Sequence, residues 1–296
     1  MRVTSLNPAL RLRLPRILAA VGVSATALGC SIEATAPVDE EGGATHAVFR
    51  IERAESTDGT PARAEALAGF MHVPPLVDPV NAMNLVGLGL NLPEVGECNV
   101  GAPVTASVPL SETARVEFLP AGNVTLEVGA GRDKLAPNAF PTVTDSISGV
   151  LYTSRNRQAE LLPPGVLYTV SADGLPVAAS ERAPAVLEGV TAGGLPLAEV
   201  SRLDRSAPLD LTWSVGAPED IVYVEVTSAA AAHRTLCSFA DDVGAGTVPL
   251  ADFEVGETGR VVLHRIRSHS FEFVSDRRNH GELRFDFALS TSVRFY

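Results

Sequence analysis

The sequence predicts an all-β protein built as two β-sandwich-like lobes, of which the C-terminal one is Ig-like. Apolar and polar residues alternate with a period of two in many short runs, and Gly, Pro and Asp interrupt these runs too often for long helices. A single tryptophan, Trp213, precedes a run that carries Cys237, which is the order found in Ig-like sandwiches. Such runs bury one face and expose the other, as antiparallel sheets do.

The alternating runs locate the predicted strands from residue 45 onward. The residues expected to share a buried face are Ala47, Phe49 and Ile51; Val124, Leu126 and Val128; Leu209, Leu211, Trp213 and Val215; Val222, Val224 and Val226; and Leu283, Phe285, Phe287 and Leu289. A short helix is predicted over residues 61–71, with Thr60 as N-cap and Pro61 at the first helical position. Residues 73–93 are apolar but broken by Pro and Gly, which indicates packed irregular chain.

Residues 1–29 are predicted to be a signal peptide. Residues 1–16 contain four arginines and no acidic residue, and residues 17–29 form an apolar core of small side chains. This core is shorter than the roughly 20 residues that a membrane-spanning helix needs. The sequence therefore predicts export without a permanent transmembrane anchor.

Two cleavage sites compete at the end of this signal. Ala25-Thr26-Ala27 has the small-x-small form that would release a soluble exported protein. Leu28-Gly29-Cys30 resembles the end of a bacterial lipobox, although Ala27 and Leu28 stand in swapped order relative to the usual pattern. The glycine before the cysteine and the acidic, Gly- and Pro-containing residues 31–45 favour lipid attachment at Cys30, because they suit a flexible tether.

The predicted location is the outer membrane, with the soluble exported form as the alternative. Ser31, and not Asp, follows Cys30, which under the sorting rule of enteric bacteria directs a lipoprotein outward. Removing the four signal arginines from 23 basic residues leaves 19 against 35 acidic ones, a net charge of −16. Nucleic acid is a poor partner for such a surface. The expected partners are the membrane, through the lipid, and an unknown envelope protein or extracellular ligand.

Four parts are predicted along the chain. They are a lipoprotein signal peptide at 1–29, a flexible tether at 30–45, an N-terminal β-rich domain at 46–195 and a C-terminal Ig-like β-sandwich at 196–296. The last boundary lies in a Gly-, Ala- and Pro-rich stretch, where domain linkers are common.

Cys98 and Cys237 are candidates for a disulfide. With Cys30 acylated they remain as an even pair in an oxidising compartment. Two separately buried thiols are the alternative. A bridge between them would join the two predicted lobes.

Four short segments follow one another in a characteristic order. They are Leu88-Gly89 with Pro93 and Gly96 to Cys98, then Ser148-Gly149-Val150-Leu151-Tyr152, then the LDLTW strand that ends at Trp213, and then the run from Cys237 to Leu250. This order resembles a group of uncharacterised exported lipoproteins of Gram-negative, high-GC soil bacteria that end in an Ig-like β-sandwich. The resemblance implies a fold and a location, and it implies no particular activity.

The sequence predicts no enzyme, no catalytic residue and no cofactor. It lacks a G-x-S-x-G elbow, an H-E-x-x-H zinc motif, a C-x-x-C pair, a P-loop and a dinucleotide-binding glycine motif. The competing hypothesis is a secreted or periplasmic hydrolase with a metal site near His264, His269 and His280, to which Asp276 could contribute, since imidazole and carboxylate are zinc ligands. Ordinary strand and turn positions account for these residues better, so no metal is predicted.

Asp241, Asp242 and Gly244 form an acidic turn that could offer oxygen ligands to Ca²⁺. The repeated ligand pattern of an EF-hand is absent, however, and a solvated loop is the expected structure.

Overall fold

The computed structural model describes residues 43–74, 78–85, 87–101, 116–143, 147–154, 157–158, 162–229, 233–273 and 278–296. Cys30, both candidate cleavage sites and the tether up to residue 42 lie outside these ranges, as does Asp276. The one α-helix within the described ranges is too short to cross a membrane.

Nearly all regular structure in the described residues is β-strand. The strands are β1 (Ala44–Ser56), β2 (Arg63–Val73), β3 (Cys98–Val100), β4 (Val116–Phe118), β5 (Val124–Val128), β6 (Gly131–Lys134), β7 (Ala136–Val143), β8 (Ile147–Thr153), β9 (Arg157–Gln158), β10 (Leu167–Ala172), β11 (Val177–Arg182), β12 (Thr191–Ala192), β13 (Leu195–Pro196), β14 (Arg202–Leu203), β15 (Leu209–Thr212), β16 (Ile221–Ser228), β17 (Arg234–Ala240), β18 (Ala245–Val248), β19 (Thr258–Glu272) and β20 (His280–Phe295). One helix, α1 (Pro79–Leu85), and two 3₁₀ turns, Leu197–Glu199 and Asp241–Val243, complete the elements. The predicted all-β class is confirmed.

The strands form one large and two small sheets. The central sheet has the order β3-β17-β16-β19-β20-β1-β2-β4-β8-β7, with β14 pairing to β20 and β9 to β2. The first cover sheet has the order β11-β10-β5-β6, and the second cover sheet has the order β13-β12-β15-β18. Strands β1 and β20 pair in parallel along their length, from His46 opposite His280 to Ser56 opposite Ser290.

Each cover sheet packs on the central sheet around its own hydrophobic core. In the first core, Phe49 and Phe70 of the central sheet are buried with Tyr168 and Val170 of the first cover sheet. In the second core, the central sheet meets the second cover sheet. Its residues include Val224, Leu263, Leu211 and the predicted core residue Trp213. The structure therefore contains two sandwich-like arrangements, as the sequence predicts.

Both cores lie on the same face of the central sheet. Along β20, Leu283, Phe285 and Phe287 belong to the first core, and Val293 and Phe295 belong to the second. These five residues are an even number of positions apart, and the pairing of β20 with β19 runs without a register shift. Alternate residues of a strand share a face, so the two sandwiches share one sheet.

That shared sheet crosses the boundary expected between residues 195 and 196. Strand β1 belongs to the range 46–195 and β20 to the range 196–296, yet they are neighbours. By its internal contacts, the chain from Glu41 to Tyr296 forms one compact unit. The two sandwiches are therefore halves of one unit, each with its own cover sheet on a shared central sheet.

The other face of the central sheet, here called the outer face, is partly covered by α1 and by residues 87–97, here called the strap. Ala82 of α1 and Leu88 of the strap pack with Met71. Leu90 and Leu92 pack against Tyr223, Leu236 and Ile266, which lie beneath the rest of the strap.

Hydrogen bonds fix the first end of the strap, and a disulfide directly after residue 97 fixes the other. Arg50 donates a hydrogen bond to the carbonyl oxygen of Gly87 at 2.8 Å, and Arg284 donates one to that of Leu88 at 3.0 Å. At the other end, Cys98 and Cys237 are joined by a disulfide. The pair that was a candidate in the sequence thus links residues of the two predicted ranges.

The predicted helix over residues 61–71 is wrong, because this segment forms β2. Alternate residues Ala64, Ala66, Ala68 and Phe70 are buried in the first core, and β2 pairs with β1 along its length. Alanine favours helices in isolated peptides, but burial and strand pairing outweigh this weak helix propensity.

Val215 also departs from the prediction, since 61% of its surface is exposed. Strand β15 ends at Thr212, so the alternation that buries Leu209 and Leu211 does not extend to it.

Candidate functional site

An open groove of about 450 Å³ lies on the outer face, where β1 begins and where β19 and β20 approach their connection. Its lining includes His46, Met83, Ser270, Glu272, His280 and Glu282. It combines ionisable and hydroxyl groups with apolar surface from α1 and β1, as ligand pockets generally do. We take this groove as the candidate binding site.

Strand register brings the groove residues together. Glu272 of β19 lies opposite His280 of β20, and His280 lies opposite His46 of β1. Two positions along the strands, Ser270 lies opposite Glu282 and so belongs to the same face. The groove is therefore built from two adjacent rows of side chains that run across three strands.

The two histidines of the groove face each other. The ring centroids of His46 and His280 are 6.2 Å apart, and their planes are inclined by 39°. Burial, together with the charge of His280, lowers the pKa of His46. The imidazole of His46 is therefore mainly neutral at neutral pH.

Glu282 is the fixed anion of the groove. Arg284 donates hydrogen bonds to its two carboxylate oxygens at 2.9 and 2.6 Å, and the hydroxyl of Ser268 donates another at 2.7 Å. Burial alone would raise the pKa of Glu282, but these hydrogen bonds and the charge of Arg284 bring it below its usual value. The carboxylate therefore stays ionised at neutral pH while Arg284 compensates part of its charge.

The three histidines considered together in the sequence do not converge. His264 lies on the outer face, with its Nδ1 2.7 Å from Oδ1 of Asp286 and its ring stacked on Tyr223 at 4.0 Å. His269 is five residues further along β19 and so lies on the opposite face, where its Nδ1 is 3.1 Å from Oε2 of Glu181. His280 lies in the groove.

These positions leave the proposed metal site near His264, His269 and His280 unformed. A strand sends residues five positions apart to opposite faces, whereas the hypothesis needed them side by side. Within the ranges that the structure describes, no three His, Cys, Asp or Glu side chains are arranged to hold a metal ion.

A second set of ionisable groups lies on the outer face near the middle of the strands. Glu52 of β1 is opposite Asp286 of β20 on one side and opposite Glu65 of β2 on the other. Burial raises the pKa of Glu52, and the two neighbouring carboxylates add to this rise, while Arg50 at 2.9 Å opposes it. Arg50 next to Glu52 and His264 next to Asp286 pair with two of these carboxylates within the sheet.

The acidic turn is solvated as the sequence predicts at Asp242, which is exposed, but not at Asp241. Asp241 is fully buried, and Arg265 binds it through contacts of 2.9 Å and 2.7 Å. The indole nitrogen of Trp213 also donates a hydrogen bond to the backbone oxygen of Asp241 at 3.1 Å. Because the carboxylate is already neutralised inside the protein, it is not available to Ca²⁺ from solvent.

Comparison with known proteins adds little to this description. No profile of a known protein family matches the chain, and no curated protein sequence matches it. Among solved structures, it is similar to the yeast delta-COP-I mu-homology domain complexed with the Dsl1 WxWxV peptide. The identity is 10%, with 86% of this chain and 97% of that chain covered, and the TM-score is 0.23. A TM-score this low supports no argument about function.

Proposed function

We propose that the protein is an envelope-anchored lipoprotein that binds a ligand in the groove. The observation that carries the binding role is the groove itself, in which His46, Ser270, His280 and two glutamates line about 450 Å³ of open space. The proposed anchor is a lipid on Cys30, and the proposed location is the outer membrane, with a soluble exported form as the alternative. Both rest on the pattern of the N-terminal sequence.

The groove is separated from the proposed lipid anchor by only a short length of chain. His46 is the third residue of β1, and residues 31–43 connect this strand to Cys30. A chain of that length reaches about 45 Å when fully extended. A lipid on Cys30 would therefore keep the groove within that distance of the lipid surface.

The charge of the groove favours neutral or cationic ligands. Glu272 and Glu282 line it, and the chain after the signal carries a net charge of −16. An acidic cleft concentrates cations and repels polyanions. A polar or positively charged small molecule, or a basic segment of an envelope protein, fits this surface better than nucleic acid.

The anchor is tested by metabolic labelling with radioactive palmitate. We expect label on the wild-type protein and none on Cys30→Ser, because only the thiol of Cys30 can accept the lipid in the lipoprotein pathway. The Cys30→Ser protein is expected in the soluble fraction. Label that survives this substitution would refute the anchor.

The groove is tested by blocking it with a bulky side chain. The melting temperature of the wild type is screened against a panel of amino acids, sugars, polyamines and short peptides, since a ligand that binds only the folded state raises this temperature. Any shift is expected to disappear in Ser270→Trp, which fills the groove.

The matched control for that substitution is Ser292→Trp. Ser292 is exposed on the same face of the central sheet, at the far end of β20, and does not line the groove. Shifts that persist in Ser270→Trp, or that vanish equally in both variants, would show that the groove is not the binding site.

A further inference from the structure

We infer that His46 and His280 together bind a divalent transition-metal ion in the groove, with water completing the coordination. This inference rests on the binding role proposed for the groove and names the class of ligand. The two residues are 234 positions apart in the sequence, and the parallel pairing of β1 with β20 makes them direct neighbours.

The geometry of the two rings suits a shared ion. Imidazole nitrogens bind zinc at about 2.0–2.1 Å, which puts the centroids of two rings on one tetrahedral ion about 5 Å apart. The observed separation is 6.2 Å. A small change in side-chain torsion angles closes this difference of about 1 Å between the ring centroids. Both rings stay in the groove during that change.

The surroundings of the pair also suit a cation. Both imidazoles line the open groove, so an ion from solvent can reach them. Glu272 lies in the same row as His280, and Glu282 lies in the next row. Because Arg284 compensates part of the charge of Glu282, the two carboxylates favour a divalent ion less than two unpaired charges would.

The chemistry of the ligands selects the kind of metal. Imidazole suits Zn²⁺, Cu²⁺ and Ni²⁺, whereas Mg²⁺ and Ca²⁺ prefer oxygen ligands. Two imidazoles are fewer than the three or four protein ligands of a resident zinc site. We therefore assign an exchangeable ion with a dissociation constant on the order of 1–100 µM, since half of the ligands supply about half of the binding free energy.

The test is calorimetric titration of Zn²⁺ into the untagged, metal-stripped full chain in detergent. We expect binding of about one ion per chain by the wild type and binding at least about tenfold weaker in His280→Gln and in His46→Gln. Mg²⁺ serves as the probe for a site built only from carboxylates and is expected to give no binding. Cu²⁺ bound to the wild type should show coupling to two nitrogen nuclei in its electron paramagnetic resonance spectrum.

His269→Gln is the matched control. His269 lies on β19 near the connection to β20. It pairs with Glu181 on the face of the sheet opposite the groove. Its replacement should leave Zn²⁺ binding unchanged. His280 is exposed, so His280→Gln decides the question even if His46→Gln lowers stability.

Zn²⁺ affinity that is the same in wild type, His46→Gln and His280→Gln would overturn the inference, as would equal binding of Mg²⁺. The proposed function is judged separately. If Zn²⁺ does not bind but a ligand from the screening panel no longer raises the melting temperature of Ser270→Trp, the groove keeps its binding role. Only the inference of a metal ion is then wrong.

Discussion

Asp241→Ala is expected to lower the free energy of unfolding by about 3–5 kcal/mol, because it leaves the charge of Arg265 buried without its partner. Nη2 of Arg265 donates to Oδ1 of Asp241 at 2.9 Å, and the two side chains are 2% and 0% exposed. Arg265 also donates to the backbone oxygen of Val186 at 2.9 Å, so it is held between the two sandwiches. Guanidinium unfolding of the Cys30→Ser protein, with and without Asp241→Ala, measures the difference.

The control for this prediction is Glu225→Ala. Glu225 pairs with Arg234 at 2.7 Å, but about a quarter of each side chain is exposed. Pairs in contact with water contribute less than about 1 kcal/mol. If Asp241→Ala lowers the free energy of unfolding no more than Glu225→Ala does, the buried pair of Arg265 and Asp241 is no more important for stability than an exposed pair.

Removal of the disulfide, by Cys98→Ala together with Cys237→Ala, is expected to cost about 2–5 kcal/mol of unfolding free energy. The two cysteines are 139 residues apart, and a loop of that length loses much conformational entropy when it is closed in the unfolded chain. The bridge also fixes the C-terminal end of the strap to β17. The measurement is again the unfolding midpoint in guanidinium.

A reducing agent separates this effect from the loss of cysteine side chains. It should lower the stability of the protein with Cys98 and Cys237 intact by a similar amount and should leave the double variant unchanged. Equal stability of the oxidised protein and the double variant would show that the bridge does not stabilise the fold.

Alternation in the sequence locates strands well where the buried positions are large. Phe49 and Ile51 in β1, Val222 and Val224 in β16, and the phenylalanines of β20 are all buried as expected. The same rule fails for β2, because its inward positions are mostly alanine, which also favours helices. The strand character of β2 comes from its pairing with β1 and is not visible in its own residues.

The candidate site could be predicted only in part. The histidines near His280 in the sequence indicate the wrong partners, because its histidine neighbour in the structure is His46, 234 residues earlier in the chain. Alternation within β1 does place His46 on the face opposite Ala47 and Phe49. Nothing in the local sequence tells that β1 pairs in parallel with β20, because strand partners are chosen by tertiary packing.

The burial of Asp241 is not predictable from the sequence for the same reason. An Asp-Asp-Val-Gly turn is normally solvated, and its partner Arg265 lies in a strand 24 residues away. Only the stacking of the cover sheets on the central sheet encloses the two charges.

The parallel pair of β1 and β20 also orders events during folding. Strand β20 lies between β19 and β1, so the first strand of the sheet has no neighbour on that side until the last one arrives. A chain that folds from its N-terminus therefore keeps this edge of β1 unpaired until β20 is available. Such contacts between distant residues close slowly. The central sheet is consequently completed late in folding, when β20 docks between β1 and β19.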